Sequence, residues 1–88
     1  MERTVPIINK LGLHARAAAK LVTLASKFAA EVHVRKDGRE VSGKSIMGVM
    51  MLAAAKGTEI TLIARGPDEQ QALDELEQLI AERFGEEA

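Results

Sequence analysis

Apolar side chains recur along this chain with two different periods, and the switches between them mark its elements. Ala18, Leu21, Val22, Ala25 and Phe28 return every three or four residues, the spacing of a helix's buried face, and predict a helix from about His14 to about Lys27. Residues 2–8 (ERTVPII) are instead rich in β-branched side chains and predict a strand. Pro6 has no N–H for a ladder, which puts that strand at a sheet edge. Val32 and Val34 alternate with His33 and Arg35, and Asp37-Gly38 suits a tight turn into a third strand.

Ser45 is a good N-cap for a short helix over Ile46 to Ala55, which Lys56-Gly57 would end. Residues 58–65 (TEITLIAR) alternate again, with Ile60, Leu62 and Ala64 on one side and Glu59, Thr61, Ile63 and Arg65 on the other, and predict a fourth strand. After Gly66, Pro67 suits the first turn of a third helix, Asp68 and Glu69 favour its positive end, and Ala72, Leu73, Leu76, Leu79, Ile80 and Phe84 form one stripe. The order β-α-β-β-α-β-α predicts an α+β open-faced sandwich: a four-stranded antiparallel sheet covered on one face by three helices.

Composition narrows what such a fold would do. The 88 residues contain no linker-like tract, so residues 1–88 are read as one domain. Aromatics make up only 2% of a chain that is 47% hydrophobic, so the core is aliphatic. A net charge of -1, with Phe28 and Phe84 as the only aromatic residues, argues against nucleic acid as a partner. There is no cysteine, no signal-like start and no span for membrane insertion, and a cytoplasmic monomer is expected. Paired carboxylates, a nucleophile-base set and a phosphate-cradling glycine loop are all missing, which argues against an autonomous enzyme.

The candidate chemistry lies in KLGLHARAAAKLV, where His14 enters a helix and Arg16 follows two residues later. The first N–H groups of a helix have no internal partner, so those of Ala15, Arg16 and their neighbours can hold an anion. Arg16 adds a planar donor fork. A neutral imidazole is a competent nucleophile near neutral pH, and phosphoryl transfer mainly demands positioning and charge stabilisation. His33 points away from Val32 and Val34 with no other ligand at metal-binding spacing, so it is read as a surface residue and no metal is expected.

KLGLHARAAAKLV resembles the active-site signature of the HPr phosphocarrier family of the phosphoenolpyruvate-dependent phosphotransferase system. GKSIMGVMMLAAAKGTEI is similar to that family's second motif, and GPDEQQALDELEQLI to its last helix, so nearly the whole chain is covered. The resemblance implies a fold of four antiparallel strands under three helices. It also implies a phosphohistidine at His14, formed through Nδ1, with Arg16 steadying the phosphoryl group and no cofactor. Enzyme I and Enzyme IIA-type domains would be donor and acceptor. Ala17 departs from the proline that many members carry there, which leaves the phosphoryl chemistry intact.

Ser45 resembles the serine that an HPr serine kinase modifies in some members; a bare helix cap is the competing reading. Ala15, Ala19, Lys20, Ile46, Met47 and Met50 are the candidate docking residues, since adaptable methionines can serve several partners. Core packing alone would explain Met51 and part of the rest, so core and docking stay open for each methionine; Lys27 lies on the polar side of the first helix with Lys20. A nitrogen-related regulatory branch of the same system, suggested by HARAAAK, and a non-phosphorylated interaction module are the alternative functions.

Overall fold

The computed structural model describes residues 1–88. Strands β1 (Glu2–Pro6), β2 (Glu31–Lys36), β3 (Arg39–Ser42) and β4 (Glu59–Arg65) alternate as expected with helices α1 (Ala15–Ala25), α2 (Ile46–Met51) and α3 (Glu69–Ala81). The strands pair antiparallel in the order β1-β4-β2-β3. Pro6 therefore ends an edge strand, where its missing N–H interrupts no inner ladder. Asp37 and Gly38 both take positive φ, 51° and 81°, the geometry a two-residue turn between β2 and β3 needs.

The period-two pattern decides which face is buried. Val5, Ile60, Leu62, Ala64, Val32 and Val34 share the helix-covered side, where they meet Ala18, Leu21, Val22 and Ala25 of α1 and Ala72, Leu73, Leu76 and Ile80 of α3. An isolated helix of 11 residues such as α1 is marginal in water. Each fully buried Leu or Ile contributes on the order of 1.5–3 kcal/mol, so packing holds these helices more than propensity does. Arg3, on the same side of β1, reaches Asp74 at 2.7 Å and Glu77 at 2.9 Å and clips the edge strand to α3.

Three expectations change, and Ile63 adds a burial that its side of the strand does not foretell. Ile63 faces away from the helices, as alternation requires, yet it is fully buried, because it sits in register between Glu2 and His33. The second helix stops at Met51 rather than Ala55: Ala53 turns to φ 51°, and Ala54 is drawn instead to Leu13, whose N–H it accepts at 2.9 Å. Gly57 caps no helix but donates its N–H to Ile7 O at 2.8 Å. The third helix ends before Phe84, which is buried from a separate 3-10 turn, Arg83–Gly85, with φ 56°. A hydrophobic stripe cannot distinguish a buried ring on the helix from one folded back just beyond it.

Asp68 also has a different role. It stands just ahead of α3, with Pro67 outside the helix, and makes no side-chain cap bond. Its carboxylate accepts from the N–H groups of Ala29 at 2.9 Å and Ala30 at 2.8 Å, tying the entry to β2 to the start of α3. The Ala29 bond is the main cause holding the acid below the ordinary aspartate range; desolvation opposes it, and the Ala30 bond and Lys44 assist. A depressed folded pKa contributes stability that is present above the unfolded value and lost as pH falls through the folded one. Asp68→Asn is therefore expected to be less stable than the parent at neutral pH, with the gap closing below about pH 4. Urea unfolding at pH 7 and pH 2.5, roughly either side of that limit, reads this directly.

Candidate functional site

The site is assembled where three remote segments meet: the loop from Ile7 to His14, the segment after α2, and the last residues of the chain. Ile7 N donates to Thr58 O at 2.8 Å, and Leu13 N to Ala54 O, which fixes the loop at both ends. Gly12, with φ 68°, makes the turn in between. Asn9 is fully buried and donates through Nδ2 to Gly12 O at 2.8 Å and to Glu86 Oε1 at 3.2 Å; its Oδ1 has no partner.

His14 is the N-cap of α1, with extended backbone and no side-chain cap bond. Its carbonyl accepts the first helical bond, from Ala18 N at 2.8 Å, so the N–H groups of Ala15, Arg16 and Ala17 lie at the helix's positive end without an intrahelical acceptor. The imidazole is 29% exposed, and its Nε2 lies 2.6 Å from Glu86 Oε2. That bond is the leading cause holding Glu86 below the ordinary glutamate range; desolvation opposes it, and Asn9, the charge of His14 and Lys20 reinforce it. With Nε2 engaged by Glu86, Nδ1 is the ring nitrogen without a hydrogen-bond partner in the chain.

Arg16 is exposed and makes no ion pair within the chain. Together with Ala19, Lys20, Thr23, Leu24, Lys27 and Leu79 it lines a shallow groove of about 400 Å³ between α1 and α3. Ala15 is exposed and Ala19 half-buried. Lys20 is not a free cation, because its Nζ donates to Phe84 O at 2.6 Å. Met47 and Ile46 are exposed, as is Met50, and α2 packs directly against α1. Met51, for which core and docking were both open, is 62% exposed; Val49 and Leu52 fill the buried side of this short helix. Ser45 accepts from Gly48 N at 3.1 Å and caps α2.

His33 lies on the uncovered face of the sheet, its Nδ1 3.6 Å from Glu40 Oε2. Glu86 and Asn9 are the two site residues that sequence patterning missed. Glu86 lies 72 positions from His14, beyond the reach of any local periodicity. Asn9 directly follows the β-branched run of residues 2–8 and belongs to no periodic pattern.

Comparison with known proteins places this arrangement in one family. The family model described as the PTS HPr component phosphorylation site matches residues 1–82. The phosphocarrier protein HPr of Cupriavidus necator is 59% identical over 86 residues, covering 98% of this chain and 97% of that one. The HPr-like protein Crh of Bacillus subtilis is 48% identical over 82 residues, covering 93% and 96%. The crystal structure of HPr-C-His from Thermoanaerobacter tengcongensis superposes with a TM-score of 0.96 at 48% identity, covering 100% of this chain and 99% of that one. With the sheet order, the helix layer and nearly the full length shared, the chain belongs to the HPr phosphocarrier family of the phosphotransferase system.

Proposed function

We propose that this phosphocarrier accepts its phosphoryl group on Nδ1 of His14 from Enzyme I and passes it to Enzyme IIA-type domains. The observation that carries the reading is the position of His14 at the N-terminus of α1, with Nε2 engaged by Glu86 and Nδ1 unengaged. The N–H groups of Ala15 to Ala17 and the unpaired Arg16 supply the positive charge that phosphoryl oxygens need. A partly exposed histidine suits a carrier, since donor and acceptor must each bring their own reacting group to phosphorus in line.

Docking uses the surface around that histidine: Ala15, the Arg16–Ala19 side of the α1 groove, and Ile46, Met47, Met50 and Met51 on α2. Lys20 serves by holding the C-terminal residues in place. Ser45, beside this surface, is the residue on which an HPr serine kinase would act, and a phosphate there would give up the cap bond to Gly48 unless its own oxygens replaced it. Residues 1–88 work as one carrier domain in the cytoplasm.

Incubation with phosphoenolpyruvate and Enzyme I, followed by mass spectrometry, tests the reading. One acid-labile phosphate that maps to His14 is expected. No phosphate, or phosphate elsewhere, would refute it. Offering the phosphorylated protein both a sugar-specific and a nitrogen-type acceptor then identifies the branch served.

A further inference from the structure

Helix α2 lacks the usual supports at its C-terminal end. It has six residues, no basic residue in its last turn, and an alanine, Ala53, at φ 51° just beyond its C-cap Leu52, where glycine is the common choice. Left-handed backbone at alanine is unfavourable and persists only where surrounding contacts enforce it. Those contacts come from the hairpin of β2 and β3. Lys36, the last residue of β2, and Arg39, the first of β3, are partners in register. Lys36 lies two positions beyond the buried Val34, so it and Arg39 face the helix layer.

Their donors reach three successive carbonyls. Arg39 Nη1 donates to Met51 O at 3.2 Å, and Lys36 Nζ donates to Leu52 O at 3.0 Å and to Ala53 O at 3.4 Å. A helix leaves its last carbonyls without internal donors, and positive charge suits that end of it. The side chain of Lys36 is 20% exposed, whereas Asp37, 4.0 Å from Nζ, is 85% exposed and solvated, so the ammonium is held by the helix end rather than by the carboxylate. The next carbonyl, Ala54 O, accepts from Leu13 N at 2.9 Å, one residue before His14.

We infer that Lys36 and Arg39 are positioning residues for the carrier: a cationic clamp on residues 51–53 that sets the end of α2, and with it the presentation of Met47, Met50 and Met51 and the place of Ala54 O as acceptor for the His14 loop. This rests on the docking reading above and adds to it two hairpin residues on which the docking helix depends. The clamp takes no part in bond making. It acts on where a partner meets α2, so its loss falls on KM and leaves kcat largely intact.

Variants of the whole chain test the inference. Lys36→Met keeps the aliphatic stem and removes the donors, Lys36→Arg supplies donors again, and Arg39→Met removes the other bond. Asp68→Asn, whose weakened bonds lie at the entry to β2 and the start of α3, is the control for lost stability alone. Steady-state phosphorylation by Enzyme I, with the carrier as the varied substrate, reports KM and kcat, and hydrogen exchange at the Leu13 amide, read against the amides of β4, reports its bond to Ala54. In Lys36→Met, KM should rise about tenfold with kcat within about twofold of the parent, and the Leu13 amide should exchange about tenfold faster. Arg39→Met should raise KM about threefold, and Lys36→Arg should return it to within about threefold of the parent. Asp68→Asn should keep the parent's KM. An unchanged KM in Lys36→Met, or in Arg39→Met should the first not fold, would overturn the inference and leave the carrier reading standing, as would an equal rise in Asp68→Asn. A parent protein that takes no phosphate on His14 would overturn both.

Discussion

Replacing His14 by alanine is expected to reduce phosphate acceptance to background while leaving the protein folded. The imidazole supplies no cap bond to α1 and its one polar partner is Glu86, so its removal is expected to cost the helix under about 1 kcal/mol. No other side chain can take over as nucleophile. His33 lies across the sheet from the helices beside Glu40, remote from the α1 N-terminus and from Arg16. Mass spectrometry after incubation with phosphoenolpyruvate and Enzyme I should show no acid-labile phosphate on His14→Ala and normal incorporation in His33→Ala. Phosphate retained by a folded His14→Ala variant would end the assignment.

The largest effect on stability is expected from a single methyl group at Gly12. A Cβ there would stand 2.4 Å from Ala54 O and 3.0 Å from Ala55 Cα, and φ is already 68°. Neither neighbour can swing aside, since both belong to backbone and Ala54 O already accepts from Leu13 N. Gly12→Ala should therefore lose about 3 kcal/mol, combining left-handed strain with a displaced loop. For a domain of this size that lowers Tm by more than about 10 °C. Gly38 is the control: its φ is 81° but nothing lies within 4 Å of its added Cβ, so Gly38→Ala should suffer strain alone. Calorimetry of the two variants separates the contributions. Equal losses would mean that the contact with Ala54 is relieved by movement.

Much of this architecture was legible because period and burial coincide. Val32, Val34, Ile60 and Leu62 alternate into the core, and Ala18, Leu21, Val22 and Ala25 line the inner face of α1. The errors fall where a local pattern is overruled by a distant partner. Leu52, Ala53, Ala54 and Ala55 are good helix formers that could have continued α2, but the carbonyl of Ala54 is claimed by Leu13. Asp68 had the chemistry of a helix-start acid, yet two N–H groups almost forty positions away capture it. Met51 could be read as core or as docking surface from its hydrophobicity alone, and a helix this short buries only one side. His14 and Arg16 stood out in the sequence because an imidazole, a cation and a helix start lie within three residues. Glu86 was not, because its partner lies at the other end of the chain.

That separation has a kinetic side. The edge strand β1 pairs with β4 across 57 positions at Thr4 and Thr61, and the His14–Glu86 contact closes a loop of 72. Loop closure must be met before such contacts return any stability, so this sheet order favours slower folding than local helical contacts would. A chain still being synthesised can form α1, and with it the His14–Arg16 pair, long before residues 83–88 exist to reach the imidazole. The site with its carboxylate in place thus forms only once residues 83–88 have been made.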